Sequence, residues 1–346
     1  MADRYWVGGS ASWDGTAGTK WSTSSGGAGG ASVPTTADDV FFTNLSTGNC
    51  IISTGNTGAK SINCTGFAGT ISGSAGITVA GSVTLVAGMS FPYAGAMTFT
   101  GTGTLTTAGK GFGSITINGS GITVTLGDAL TATVLTITQG TFNANNYNVT
   151  CNSVSSSNSN VRTITMGSGL WTITGISTIW NTQVTTNLTF NKDTADILLS
   201  NNTTTTRAFN AGGLSFNKLT MGGTTGISTT SIGGINTFTE LASTKTVAHT
   251  IRHNAGGTMV VGIWSITGSA GNIVTVNSAT AGTRRTFDIT NVTSGIDYLN
   301  VTDIGVTEAN RFYVGANSTD GGNNLNVIFT NSPALTAGGN MLMMFF

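Results

Sequence analysis

The sequence predicts an all-β chain: a single-stranded parallel β-helix (β-solenoid) with a Trp-rich N-terminal cap. Three observations predict it. Apolar residues alternate with threonine in short bursts, such as Ile115-Thr116-Ile117 and Ile122-Thr123-Val124-Thr125-Leu126. The bursts recur at about twenty-residue steps in three interleaved columns. The corners between them carry Gly, Ser, Asn or Asp. Alternation with period two places the apolar set on one face and threonine on the other. A short unit that cannot bury its own apolar face must stack on its neighbours.

Composition bounds the alternatives. Of 346 residues only 8% are charged, against roughly a quarter in ordinary domains. Glu240 and Glu308 are the only glutamates, so long helices lack their usual surface residues. Disorder is disfavoured because the net charge is zero and 38% of residues are hydrophobic and regularly spaced. Collagen is excluded by the lack of a Gly-X-Y period and by only 3 prolines. Zero net charge with scattered Lys and Arg argues against a nucleic-acid partner; the adjacent pair Arg284-Arg285 reads as a solvated loop. No stretch approaches the ~18 apolar residues of a membrane span, and MADRYWVGGSASW has no apolar core of a secretory signal. Cys50, Cys64 and Cys151 lack CxxC spacing and read as buried free thiols, in keeping with a reducing cytosol. No cofactor and no metal is expected.

The first column runs Ile51, Ile71, Phe91, Phe112, Leu130, Val149; the second Ile62, Val83, Leu105, Val124, Phe142; the third Ile77, Met97, Ile115, Leu135. Each coil thus holds three short strands, with aliphatic residues inward and threonine ladders outward. Charge is scarce because like charges stacked coil on coil would repel. About thirteen coils at ~4.8 Å would make a rod on the order of 60 Å long. An array of β-sandwiches is the alternative, and it calls for longer strands without a common period. Past Cys151 the register blurs, and Cys151 to Thr163 reads as an extended loop or a bulged coil. Bursts resume at Ile164, Trp171, Leu188, Ile197 and Phe216, with NNTTTT (Asn201 to Thr206) as a corner, and the solenoid is expected to span 46–330.

An open solenoid end would expose apolar groups and unpaired backbone. Residues 1–45 read as the N-terminal cover, carrying Trp6, Trp13 and Trp21 among Gly-rich turns. Trp6, Gly8-Gly9, Trp13, Trp21, Val33-Pro34-Thr35, Asp39 and Val40 form a WxGG…W…W…VPT…DxV pattern. It is similar to the entry motif of β-solenoid surface proteins, including bacterial adhesins and autotransporter-like passengers. With the RYWVGGS opening and the STDGGNN segment (Ser318 to Asn324), the whole chain resembles Thr/Gly-rich proteins of tailed and uncultured aquatic bacteriophages. That resemblance implies a virion component, such as a tail or head appendage, made in the host cytoplasm, and it brings no catalytic motif. Trimers are common among phage rods. The tail 331–346 ends in Met341, Leu342, Met343, Met344, Phe345 and Phe346, an apolar run that would aggregate if exposed. It reads either as a plug for a partner subunit or as a cap over the last coil.

Candidates for chemistry are few. His249 and His253 have HxxxH spacing, but on a strand they would point the same way and lie far apart. A depolymerase reading would need paired carboxylates on the outer face. The candidates are Asp288 and Glu308, twenty positions apart on adjacent coils, and more weakly Asp193 with Asp196; Asp297, Asp303 and Asp320 lie nearby in sequence. The bland reading makes these carboxylates corner caps, and Asp38, Asp39, Asp128 and Asp320 fit Asx-type turns. Trp180 and Trp264 are candidates for stacking on sugars, whereas Trp171 reads as core. The expected function is structural rather than enzymatic: a β-helical appendage, fibre or decoration protein of a virion, attaching to neighbouring subunits and host glycans. A tailspike-like polysaccharide depolymerase and a bacterial surface adhesin are the alternatives.

Overall fold

The computed structural model describes residues 2–16, 18–54, 57–308 and 311–333. Among these no helix occurs, and short strands wind into a β-solenoid of about 13 turns. Consecutive coils are joined by parallel pairing along each face, for example Met97 on Ile77 and then Ile115 on Met97. Among the described residues the one antiparallel strand pair sets Trp6 of Asp3–Trp6 against Trp21 of Trp21–Ser22. Among the described residues no separate sandwiched sheets form; one core cluster runs from Trp6 to Val314.

The third column stacks as the spacing predicts, Ile77 to Met97 to Ile115 to Leu135. It continues through Val154, Trp180, Phe209, Ile232 and His253. The other two columns need correction. Ile71 stacks on Cys50, not on Ile51, which faces Ser72. That one-residue slip turns Ile51 to the outer face and Cys50 into the core. Leu105 stacks on Leu126 while Val124 faces Gly103, and Phe112 stacks on Ala132 rather than Leu130. These are two-residue slips, which preserve the face and so are invisible to an alternation pattern.

Two long strands, Gly111–Leu126 and Leu130–Asn143, run through a corner instead of stopping at it. The register between them shifts at Asn118, where the chain bends. Gly140 sits in this bend at φ 88°, and a Cβ there would lie 2.5 Å from the Gly119 carbonyl oxygen. Both the left-handed backbone and the close approach of the next coil require glycine at that position.

Beyond Cys151 the coils stay regular but lengthen. The expected loop at Cys151 to Thr163 is mostly strand: Val149–Ser155 pairs with Leu130–Asn143, and Arg162–Thr165 follows after a short corner. The column Leu130, Val149, Trp171, Ile197, Leu219, Leu241, Trp264 is continuous. Its longer steps, 149 to 171 and 171 to 197, hide it from a twenty-residue ruler. Longer corners absorb the extra residues, and the NNTTTT segment is one of them.

At the N-terminal end, Trp6 and Trp13 each meet Trp21 edge-on with ring centroids 5.1 and 5.0 Å apart, above Phe42. All three tryptophans are fully buried, so they cover the apolar end of the stack. The segment is more than a lid. Asp3–Trp6 and Ala11–Trp13 are themselves coil strands, in parallel register with Asp39–Phe41 and Asn49–Ile52. The VPT turn is tied by Asp38, which accepts hydrogen bonds from the Thr35 amide and hydroxyl and from the Ala2 amide. At the other end the asparagines of 317–326 pin the last coils. Asn324 Nδ2 donates to the Val301 carbonyl and Asn326 Nδ2 to the Val306 carbonyl, at 2.8 and 2.9 Å.

Candidate functional site

The outer face is the most regular polar surface on the molecule. Threonines that alternate with buried apolar residues are carried outward through the middle coils, and parallel in-register pairing aligns them into ladders. One ladder runs Thr78, Thr98, Thr116, Thr136, Ser155, Asn181, Asn210. A second face carries a double ladder. Thr123 and Thr125 stand beside Thr141 and Asn143, then Thr163 and Thr165, then Thr189 and Asn191. Thr102 and Thr104 extend it by one coil, and the Thr123 amide donates to Thr102 Oγ1 at 3.1 Å. The resulting grid repeats at ~4.8 Å between coils and ~6.8 Å along each strand. Its rungs are partly tied: Asn191 Nδ2 donates to Thr165 Oγ1 at 3.1 Å. Such a grid offers hydroxyls, amides and methyl groups in a fixed array.

The carboxylates do not converge. Register sets Phe287 beside Val306, so Thr307 and not Glu308 is stacked next to Asp288, and its hydroxyl donates to Asp288 Oδ1 at 2.9 Å. The expected Asp288–Glu308 stack is therefore off by one residue, which sends the two side chains in different directions. Asp193 accepts from the Gly167 amide and Asp196 from Asn217 Nδ2, both across a coil boundary. Asp128 accepts from the Thr107 and Ala108 amides of the preceding coil, a cross-coil cap rather than a turn within its own loop. Burial opposes ionisation of Asp297, but hydrogen bonds from Asn317 and the Tyr298 amide outweigh it and hold its pKa below the usual value. Asp303 joins two coils through Gly282 and Asn323. These groups staple coils together. Among the described residues no group of three or more His, Cys, Asp or Glu is placed to hold a metal ion.

The tryptophan assignment is corrected. Trp180 and Trp264 are both 0% exposed, so neither presents a face to a sugar. Each is a core filler: Trp180 stacks on Val154 in one inward column and Trp264 on Leu241 in another. Trp180 stacks on Phe209 at 5.4 Å, and Trp264 meets Phe312 edge-on at 5.1 Å. Trp171 is buried as expected. The Met341 to Phe346 tail lies outside the described residues.

Sequence reasoning missed a polar interior. Arg162, Arg207, His249 and His253 all point inward and are buried. The alternating burial of His249–Asn254 is the signal that could have found the histidines, since both sit at inward positions of one strand. His249 Nδ1 donates to the Val247 carbonyl and its Nε2 accepts from Ser243 Oγ. His253 Nδ1 accepts from the Ala255 amide, so Nε2 carries the proton and donates to the Thr286 carbonyl. Burial pushes the His253 pKa down to about 4, with Arg285 assisting and the Thr286 hydrogen bond opposing. The three cysteines are free and buried; burial raises each thiol, Cys151 to about 12, so they are unreactive at neutral pH.

The depressed histidine gives a pH prediction. Between the ordinary His value of ~6.5 and about 4, the unfolded chain binds a proton that folded His253 refuses. Stability is then complete above ~6.5 and falls as pH drops through that window, by about 3 kcal/mol in full. His249, also depressed, adds in the same direction. The depressed aspartates Asp14, Asp38, Asp39 and Asp297 lose their contribution lower, as pH falls below 3.8. Denaturant midpoints from pH 7 to 4 should decline in the parent chain and decline less in His253→Gln, whose amide can still donate to Thr286.

No protein-family model, no curated protein and no solved structure matches this chain.

Proposed function

We propose that this chain is a structural component of a phage virion, a β-helical appendage or decoration protein whose outer Thr/Asn face contacts host glycans or neighbouring subunits. What supports the reading is the double ladder of threonine and asparagine on one flank of a rigid coil stack. Each hydroxyl offers a donor and two acceptors, and the fixed grid means little side-chain entropy is lost on binding. The carboxylates, by contrast, are engaged in coil-to-coil hydrogen bonds. In this reading the apolar 341–346 segment docks the rod to a partner subunit or to symmetry mates in a trimer.

The role is tested on purified particles. Mass spectrometry of density-purified virion fractions should find the chain at a stoichiometric level, and labelling should place it on the outer surface; its absence from particles would sink the proposal. Deleting 341–346 should abolish incorporation. The glycan-binding part has its own test. Thr123→Val with Thr163→Val keeps shape and strand propensity but removes two hydroxyls. Binding to host-surface polysaccharide should fall about tenfold or more, since each lost hydrogen bond costs about 1 kcal/mol, while the unfolding midpoint stays within ~0.5 kcal/mol of the parent. Unchanged glycan binding in the double variant would remove this face from host contact.

A further inference from the structure

We propose that the interior corner beneath residues 201–206 is a binding site for a small anion of halide size, held by Arg207, Lys245 and Ser228. Arg207 opens the strand Arg207–Asn210 and points inward, with 0% of its surface exposed. None of its three guanidinium nitrogens has a hydrogen-bond acceptor among the described residues. Directly above it in the next coil sits Thr230, and two positions earlier on that coil Ser228 is buried with its hydroxyl also unpartnered. Lys245 lies in the corner of the coil after that, 8% exposed, with its ammonium making one long bond of 3.3 Å to the Gly226 carbonyl. His249 stands above Ser228, and burial keeps it neutral against the opposing hydrogen bond to the Val247 carbonyl.

Arg162 shows how this fold can satisfy a buried guanidinium. Arg162 is equally buried and also opens a strand, yet its guanidinium donates to the carbonyls of Ser156, Asn160, Val184 and Thr186 and to Ser156 Oγ. Its corner carbonyls turn inward to receive it. Around Arg207 they do not. No carboxylate compensates either: the ion pairs of the described residues are Lys20–Asp14, Lys60–Asp39 and Lys218–Glu240, which include neither Arg207 nor Lys245. The positive charge of Arg207 reaches both Lys245 and His249 and contributes to lowering their pKa values, behind the effect of burial.

Two buried cations with no counter-charge are costly, and a buried charge is stable only when paired and hydrogen-bonded. A bound anion meets both needs, accepting from the guanidinium and the Ser228 hydroxyl while neutralising Lys245. The near-complete burial of Arg207 and Ser228 selects a small, dehydrated ion over a bulky oxyanion. Entry is available beside Lys245, where a surface groove of about 310 Å³ is lined by Ser243, Lys245, Thr267 and Asn272.

The test uses the full chain in sodium chloride, bromide and gluconate at one ionic strength. A ligand of the folded state alone raises the unfolding temperature by mass action. Chloride and bromide should raise it saturably, by roughly a few degrees, relative to gluconate. The rise should vanish in Arg207→Met. Crystals grown in bromide should show an anomalous peak within hydrogen-bond reach of the Arg207 guanidinium and Ser228 Oγ. Equal unfolding temperatures in the three salts, or bromide peaks only elsewhere, would overturn the site. If Arg207→Met does not fold, Ser228→Ala and Lys245→Met replace it, and the anomalous map of the parent chain decides alone.

Discussion

Replacing Trp180 with alanine is expected to destabilise the protein by about 3–5 kcal/mol, the range for deleting a fully buried aromatic side chain. Trp180 is stacked between Val154 below and Phe209 above, and it also packs against Trp171 and Phe216 at centroid distances of 5.9 and 5.8 Å. Its indole Nε1 donates to Thr182 Oγ1, which in turn donates to the Ala211 carbonyl of the next coil. In a stack of nearest-neighbour units the damage should be local. Hydrogen exchange should accelerate most around the strands Val149–Ser155, Ser177–Asn181 and Arg207–Asn210, and least in the N-terminal tryptophan cluster. A surface tryptophan used for sugar stacking would instead cost under ~0.5 kcal/mol.

Arg162→Met should cost about 4 kcal/mol. The guanidinium serves four backbone carbonyls, Ser156 and Asn160 in its own corner and Val184 and Thr186 in the next. Methionine fills much of the volume and donates to none of them, and each abandoned acceptor costs at least ~1 kcal/mol. Arg162→Lys should recover only part of the loss, because a single ammonium cannot reproduce the planar fork. Chemical denaturation of the three proteins orders them. Equal midpoints for the parent and the methionine variant would mean that water satisfies these carbonyls.

The fold was legible in the sequence because parallel stacking repeats one local pattern. Ile77, Met97, Ile115 and Leu135 could be aligned by counting, and they pair as counted. Counting failed where coils changed length by an even number, as at Leu105 with Leu126, since the face is unchanged and nothing in the pattern reports the slip. It failed by one residue at Ile51, where Cys50 is just as apolar a candidate for the core. The site was harder to read. Composition places arginine and histidine on surfaces, yet Arg162, Arg207, His249 and His253 lie inside. Each occupies an inward position of its strand, and which residues face inward is set by register between coils rather than by any one motif. Trp180 and Trp264 likewise lie in inward columns, on Val154 and Leu241. Pairing of Asp288 with Glu308 rested on a twenty-residue step, and the coil there steps by nineteen, from Phe287 to Val306.

Pulsed dipolar distances between nitroxides on one outer ladder test the solenoid most directly. Thr78, Thr98, Thr116, Thr136 and Ser155 occupy successive coils, followed by Asn181 and Asn210. Labels at 78 and 155 should lie about 19 Å apart and labels at 78 and 210 about 29 Å, each coil adding ~4.8 Å. Distances that do not grow with coil number, or a 78–210 separation shorter than the 78–155 one, would contradict the stacked parallel coil.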